Sequence, residues 1–283
     1  QYKYMVPDYD EITVVDDHTL RYKTKVPTPE MLVMLESVAM VPPKYFSEWD
    51  AKDWTHLNHN PIGTGPYKFV EWVKDDHLTM TANKDWWGGK VEFPEVIIRP
   101  IPEDATRVAA LISNEIDVAW GVPIPDIPRI EKDKGTYVSR VPSQRAIYMM
   151  FDIHSDKGGK APEMQPGLPA GKPNPFKNFK VRKAVAHAIN IDEIIEFVME
   201  GSAYPASEII SKHVDGYNPN IKRAKFDPEL SKKLLAEAGF PNGFAFNFDC
   251  PNDRYINDQS VTEAIAHQLT KVGLKPTVVA QPK

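Results

Sequence analysis

Eight consecutive residues, Pro251-Asn252-Asp253-Arg254-Tyr255-Ile256-Asn257-Asp258, gather amides, carboxylates, a guanidinium and a phenol into one short stretch. Arg254 can fork onto a carboxylate, and Asp253 or Asp258 can accept from an ammonium. The alternating run Phe244, Phe246, Phe248, Cys250 predicts a strand just before this stretch, and the apolar spacing of Val261, Ile265, Leu269 and Val272 predicts a helix after it. A strand's C-terminal end followed by a helix start is where α/β folds hold ligands, because backbone N–H groups and the helix dipole point outward there. Asn252, Asp253, Arg254 and Tyr255 are therefore candidate ligand-binding residues. The competing reading is a helix cap with a surface ion pair. A second candidate group is Tyr148 and Asp152, on an extended segment expected over 146–152, with Arg145 from the crossover Pro142-Ser143-Gln144-Arg145 just before it. Each of these can equally be a structural residue of a strand.

Other chemistry finds little support. His56 and His59 have an i, i+3 spacing that suits a metal pair, but their Asn-rich surroundings read as a solvated loop, and no third ligand is placed nearby. The remaining histidines, His18, His77, His154, His187, His213 and His267, are scattered. Gly63-Thr64-Gly65 lacks the lysine and following helix of a phosphate-binding loop, and its glycines permit positive φ and close backbone approach. No nucleophile elbow is present. Cys250 falls on the apolar face of its strand and reads as a buried thiol. Glu103 and Asp104 suit a helix start better than an acid/base pair. No metal or cofactor is expected, and no catalysis.

The elements that must position the candidates alternate in type. A hairpin is expected at 12–15 and 20–23, a helix within 29–42 and a polar loop over 51–60. Strands follow at 67–73, 78–82 and 95–99, with Trp86-Trp87 as a packed aromatic corner between the last two. Asp104 is expected to cap a helix ending at Asn114. A short strand over 116–120 and a short helix near 129–133 come next, and Val138–Val141 reads as extended. Residues 155–175, with many glycines and prolines among lysines, read as an exposed excursion.

Helices are then expected over 179–188 and 191–200. Asn190 and Glu193 have capping-box spacing: the Asn190 side chain accepts from a backbone N–H, while Glu193 reaches back to the N–H of Asn190. A further helix has Asp227 as N-cap, Pro228 at its first position and Gly239 past its end. A strand over 277–280 closes the chain. Interleaved elements of this kind make a mixed α/β fold. Composition agrees with a globular chain: 283 residues suggest about two domains, 42% are hydrophobic and 26% charged, and a net charge of −5 gives no basic stripe for nucleic acid. The single cysteine excludes an intrachain disulfide. Gln1-Tyr2-Lys3-Tyr4 does not open a secretory signal, which fits a cytosolic protein, a processed one or an excised piece.

Several of these stretches carry a resemblance. Val15 to Tyr22, Val41 to Phe46, Asn60 to Phe69, Asn83 to Lys90, Asn114 to Val118, Pro175 to Asn190, Phe226 to Phe244 and Ala264 to Val279 resemble, in order, segments of the family 5 extracellular solute-binding proteins. That family comprises peptide, nickel and oligosaccharide receptors of ABC importers. The resemblance implies a type II periplasmic-binding-protein-like α/β fold of two lobes that close over a ligand. Both ends of the family fold are missing on this view, so the chain is expected to be an internal fragment. Residues 61–140 would belong to the first lobe and 141–283 to the second, with 1–60 on the first-lobe side or in a small extra domain. The stretch 251–258 resembles the peptide-binding subgroup. Non-catalytic capture of short peptides is implied, with ABC permease subunits as partners, at the periplasmic or extracellular face of a bacterial envelope. A lipid anchor would lie in a missing N-terminus. Alternatives are a nickel-chelate or oligosaccharide receptor on the same fold, a signalling receptor domain and, more distantly, a carboxylate-dependent hydrolase.

Overall fold

The computed structural model describes residues 8–36, 38–49, 54–153 and 174–282. Its chain forms two units, Gln1–Pro102 and Glu103–Lys283. The expected excursion up to residue 173, His154, the start of the polar loop at 51–53 and Gln1 to Tyr4 lie outside the described residues.

In the first unit β1 (Tyr9–Asp16) and β2 (Thr19–Thr24) form the expected antiparallel hairpin, in a register running from Tyr9↔Thr24 to Asp16↔Thr19. Its tip is fastened by the Asp16 carboxylate, which accepts from the His18 N–H at 2.8 Å. Short helices α1 (Met31–Glu36), α2 (Pro43–Trp49) and α3 (Trp54–His59) follow. The third corrects the expected loop. Asn and His are indifferent helix formers, so propensity is silent here, and the helix is held from outside. The Tyr45 hydroxyl donates to the Asn60 carbonyl at 2.7 Å, and the His59 ring stacks on Trp72 with centroids 4.8 Å apart.

Strands β3 (Tyr67–Val73), β4 (His77–Ala82) and β5 (Glu95–Ile98) make an antiparallel sheet in that order. Asn83, 8% exposed, ties the 63–66 turn to it by donating to the Gly65 carbonyl at 2.9 Å. The freedom these glycines permit is not used: neither Gly63 nor Gly65 has positive φ, and a Cβ on either would meet nothing within 4 Å. The asparagine, not close backbone approach, shapes this turn. At the aromatic corner Trp86 lies over Gly88, where a Cβ would meet its ring at 2.3 Å, while Trp87 is 86% exposed and meets the Trp86 ring at a tilt, centroids 6.0 Å apart.

One pH effect arises in this sheet. His77 Nδ1 lies 3.0 Å from the Asp76 carboxylate and Nε2 lies 3.3 Å from Glu71. The Asp76 hydrogen bond first, and Glu71 second, raise its imidazole above the ordinary value of 6.5. The folded chain therefore favours the protonated ring, and the stabilisation is complete below the ordinary value and lost as pH rises through the raised one. The melting temperature of the wild type relative to His77→Gln is expected to be highest in mildly acidic buffer and to fall toward equality in alkaline buffer. A gap independent of pH would remove the ion pairs from the account.

The second unit begins with α4 (Asp104–Ile112) and α5 (Ile127–Lys132), the latter preceded by a 3-10 turn at Ile124–Asp126. Glu103, not Asp104, stands at the N-cap of α4, and Asn114 reverses the chain at φ 58° just past the helix's end. Val108, Leu111 and Ile130 form a small core, against which Ile116 and Ala119 pack. Those two are three apart, a helical rather than a two-residue period. With Val118 and Trp120 exposed at 80% and 92%, the expected strand over 116–120 does not form. Nor is a strand assigned over 138–141 or 146–152. Met149 and Phe151 do alternate onto the main core, but among the described residues no sheet includes this segment.

The remaining elements are α6 (Phe179–Ala188), α7 (Ile191–Phe197), α8 (Pro228–Glu237), β6 (Ala245–Pro251), α9 (Asp258–Thr270) and β7 (Lys275–Gln281), and the main core draws its side chains from α6, α8, β6, α9 and the turns beside them. Asn178, Asn190 and Asp227 accept from backbone N–H groups at the starts of α6, α7 and α8. Ser231, fully buried on α8, donates to the Ala184 carbonyl of α6 at 2.8 Å, so small residues let the two helices approach. Phe176, Phe244 and Phe246 pack edge to face and at a tilt beneath them. This geometry adds to the burial of each ring. Strands β6 and β7 pair in parallel, from Ala245↔Lys275 to Pro251↔Gln281, with α9 as the crossover between them. Among the described residues no helix is long and apolar enough to cross a membrane.

Candidate functional site

A parallel pair joined by a helix puts both strand C-termini at one edge. At that edge Pro251 ends β6 beside Gln281 of β7, and residues 252–257 carry the chain into α9. Asp258, the first residue of α9, shapes this loop. Its Oδ2 accepts from the N–H groups of Arg254 at 3.0 Å and Tyr255 at 3.1 Å, and its Oδ1 accepts from Gln259 at 2.9 Å. The Gln259 N–H is one that the start of a helix leaves without a partner, and the other two belong to the loop that precedes the helix. The carboxylate thereby holds its own loop, the helix-cap role that the competing reading gives this stretch.

With the loop drawn in this way, Arg254 places its guanidinium carbon 5.1 Å from the centre of the Tyr255 ring. Arg145, distant in sequence, places its own at 5.2 Å from the same ring. A cation over a phenol ring gains about 0.5–1 kcal/mol at an exposed site. Two cations held by one ring also raise the local positive potential, which an arriving anion relieves. Among the described residues neither guanidinium forms an ion pair, so their forks remain available to a planar anion such as a carboxylate. Beside them lies an open notch of about 260 Å³, lined by Asp249, Cys250 and Pro251 of β6, by Arg254 and Tyr255, and by Gln281 and Pro282. Enclosed pockets for whole small molecules run to roughly 300–1,000 Å³. The notch has room for the terminal group of a solute.

Arg145, Arg254 and Tyr255 are thus brought together out of the two sequence-separated candidate groups. Asn252 and Asp253 are exposed on the same loop. Tyr148 is 59% exposed. Asp152 is exposed, and its carbonyl accepts from Asn174 Nδ2 at 2.7 Å. Asp249, Gln281 and Pro282 also line the notch without any local motif to mark them, and the parallel register that places Asp249 and Gln281 follows from a strand–helix–strand pattern. Among the described residues no group of three or more His, Cys, Asp or Glu is arranged to hold a metal.

Comparison with known proteins adds the context. The family model described as bacterial extracellular solute-binding proteins, family 5 Middle, matches residues 1–283. The chain is 28% identical to the dipeptide-binding protein of Escherichia coli K12 over 95% of its own length and 48% of that protein's. It is 27% identical to the glutathione-binding protein GsiB of Pectobacterium atrosepticum, over 96% of this chain and 49% of that one. The structure is similar to that of the periplasmic binding protein DppA of Helicobacter pylori in complex with the peptide STSA. There the TM-score is 0.74 at 26% identity, over 97% of this chain and 50% of the other. NikZ of Campylobacter jejuni, solved with Ni(L-His), superposes with a TM-score of 0.79 at 23% identity over 97% of this chain and 53% of that one, a likeness of fold. The chain spans about half the length of the curated relatives it matches.

Proposed function

The chain belongs to family 5 of the bacterial extracellular solute-binding proteins, and from that premise we propose that it captures short peptides for an ABC importer by their carboxylate. The observation that carries this reading is the convergence of Arg145 and Arg254 on Tyr255 beside the notch. A guanidinium fork matches a carboxylate in two parallel hydrogen bonds, each stronger than a neutral one. The solute is held and released with no bond broken. The names of the dipeptide-binding relative and of the peptide-bound structure point to the same class of ligand. On this reading Asn252, Asp253, Tyr148 and Asp152 supply further polar contacts. Residues 141–283 form the solute-carrying lobe, the protein works at the periplasmic or extracellular face of a bacterial envelope, and it delivers its solute to permease subunits.

A ligand that binds only the folded state stabilises it by mass action, by about 2.7 kcal/mol at a hundred times its dissociation constant. A mixture of di-, tri- and tetrapeptides is therefore expected to raise the melting temperature by several degrees. No shift with peptides, together with one for nickel-histidine or an oligosaccharide, would discard the peptide assignment and keep the family.

A further inference from the structure

Asn257 joins the Arg254–Tyr255 loop to α9 in the left-handed region, at φ 54° and ψ 30°. Asparagine is among the few side chains that adopt this conformation readily. Its amide then turns away from the loop, and Nδ2 donates to the Val198 carbonyl at 2.7 Å. Val198 caps the C-terminal end of α7, where helix carbonyls lack partners of their own.

The opposite end of α7 is fastened to the same neighbour. Asn190 donates its N–H to Gln268 Oε1 at 2.9 Å, and Gln268 Nε2 donates to the Asn190 carbonyl at 3.2 Å and to the Glu193 carboxylate at 3.3 Å. Gln268 thus takes the role the capping-box spacing had given to Glu193, and only the Asn190 half of that box forms, Oδ1 accepting from the Glu193 N–H at 3.3 Å. Gln268 lies in the last turns of α9 and is 5% exposed. Helix α7 therefore runs antiparallel to α9, tied at its start to the end of α9 and at its end to the residue before α9. Of these ties, the one on the loop side of the site is the Asn257 amide.

We propose that Asn257 is a positioning residue for the solute site, its amide hanging the Arg254–Tyr255 loop from the end of α7. This rests on the reading that the loop receives a solute carboxylate. The rival account is that Asn257 serves through its backbone conformation alone and Asp258 does the rest. Glycine keeps the left-handed conformation but removes the whole side chain and restrains the backbone less, whereas aspartate keeps the side chain's shape and removes the N–H donor, so the two variants together separate the accounts.

The test compares the wild type with Asn257→Gly and Asn257→Asp, in which a carboxylate would face the Val198 carbonyl. Two readouts are taken: amide hydrogen exchange over 252–259, and calorimetric titration with trialanine as the free acid. Asn257→Gly is expected to speed exchange at Arg254 and Tyr255 and to weaken trialanine binding, each by roughly two- to tenfold. The Asp variant is expected to do more, and exchange in α6 to stay unchanged. Wild-type exchange in Asn257→Gly, or faster exchange with undiminished affinity, would overturn the positioning role. If trialanine binds the wild type and Arg254→Ala equally well, or fails to bind the wild type, the solute reading falls. Exchange alone then decides whether the amide holds the loop.

Discussion

Arg254→Ala is expected to weaken binding of free-acid peptides by about ten- to a hundredfold, the worth of roughly 1.5–3 kcal/mol for a hydrogen-bonded charge. The same substitution is expected to move the melting temperature by less than about 2 °C. Arg254 is exposed, and the loop it stands on is fixed through its backbone N–H to Asp258 rather than through its guanidinium. Exposed substitutions of this kind usually stay within about 0.5 kcal/mol of the wild type. Arg254→Lys should recover part of the charge effect without the fork, leaving an intermediate affinity. Affinity and stability measured together separate the readings: a fall in melting temperature comparable with that of a core truncation would make the loop structural, and unchanged affinity would remove Arg254 from the site.

Gly243→Ala is expected to be the most damaging single methyl in the second unit. Gly243 sits at φ 65°, and a Cβ there would lie 1.9 Å from the Gly273 carbonyl oxygen and 2.9 Å from the Leu274 nitrogen. The turns that lead into β6 and β7 touch here backbone to backbone, and the Lys275 N–H donates to the Phe244 carbonyl at 2.9 Å just beyond. Relieving the overlap requires those turns to part, which loosens the parallel ladder and the Phe244, Phe246 and Leu274 side chains packed under it. A cost of about 3 kcal/mol or more follows from the strain and lost packing, or a fall of roughly 6–12 °C. Gly239→Ala is the control: its φ is 91°, but its Cβ would stand in open space, so it should lose only about 1 kcal/mol. Equal melting curves for the two variants would refute the close-approach argument.

Local rules carried the fold where the elements are stabilised locally. Asp227 with Pro228 and the alternation through Phe246 and Cys250 mark a real helix start and a real strand, because caps and side-chain period act over a few residues. What escaped was decided by distant partners. Helix α3 depends on Tyr45 and Trp72, and the start of α7 on Gln268, none of which any local pattern announces. The 63–66 turn is set by Asn83 rather than by its glycines. The site shows the same division. Arg254 and Tyr255 could be singled out because a polar stretch followed an apolar strand. That Arg145 shares the Tyr255 ring, and that Asp258 is consumed in shaping the loop, are matters of tertiary geometry.

The most direct measurement is a calorimetric cycle in which trialanine and its C-terminal amide are titrated into the wild type and into Arg254→Ala. The wild type should prefer the free acid by at least about tenfold, and most of that preference should disappear in the variant, since the group removed from the peptide and the group removed from the protein are partners. Equal affinity of the wild type for acid and amide, or a preference that survives intact in Arg254→Ala, would contradict carboxylate capture at this edge.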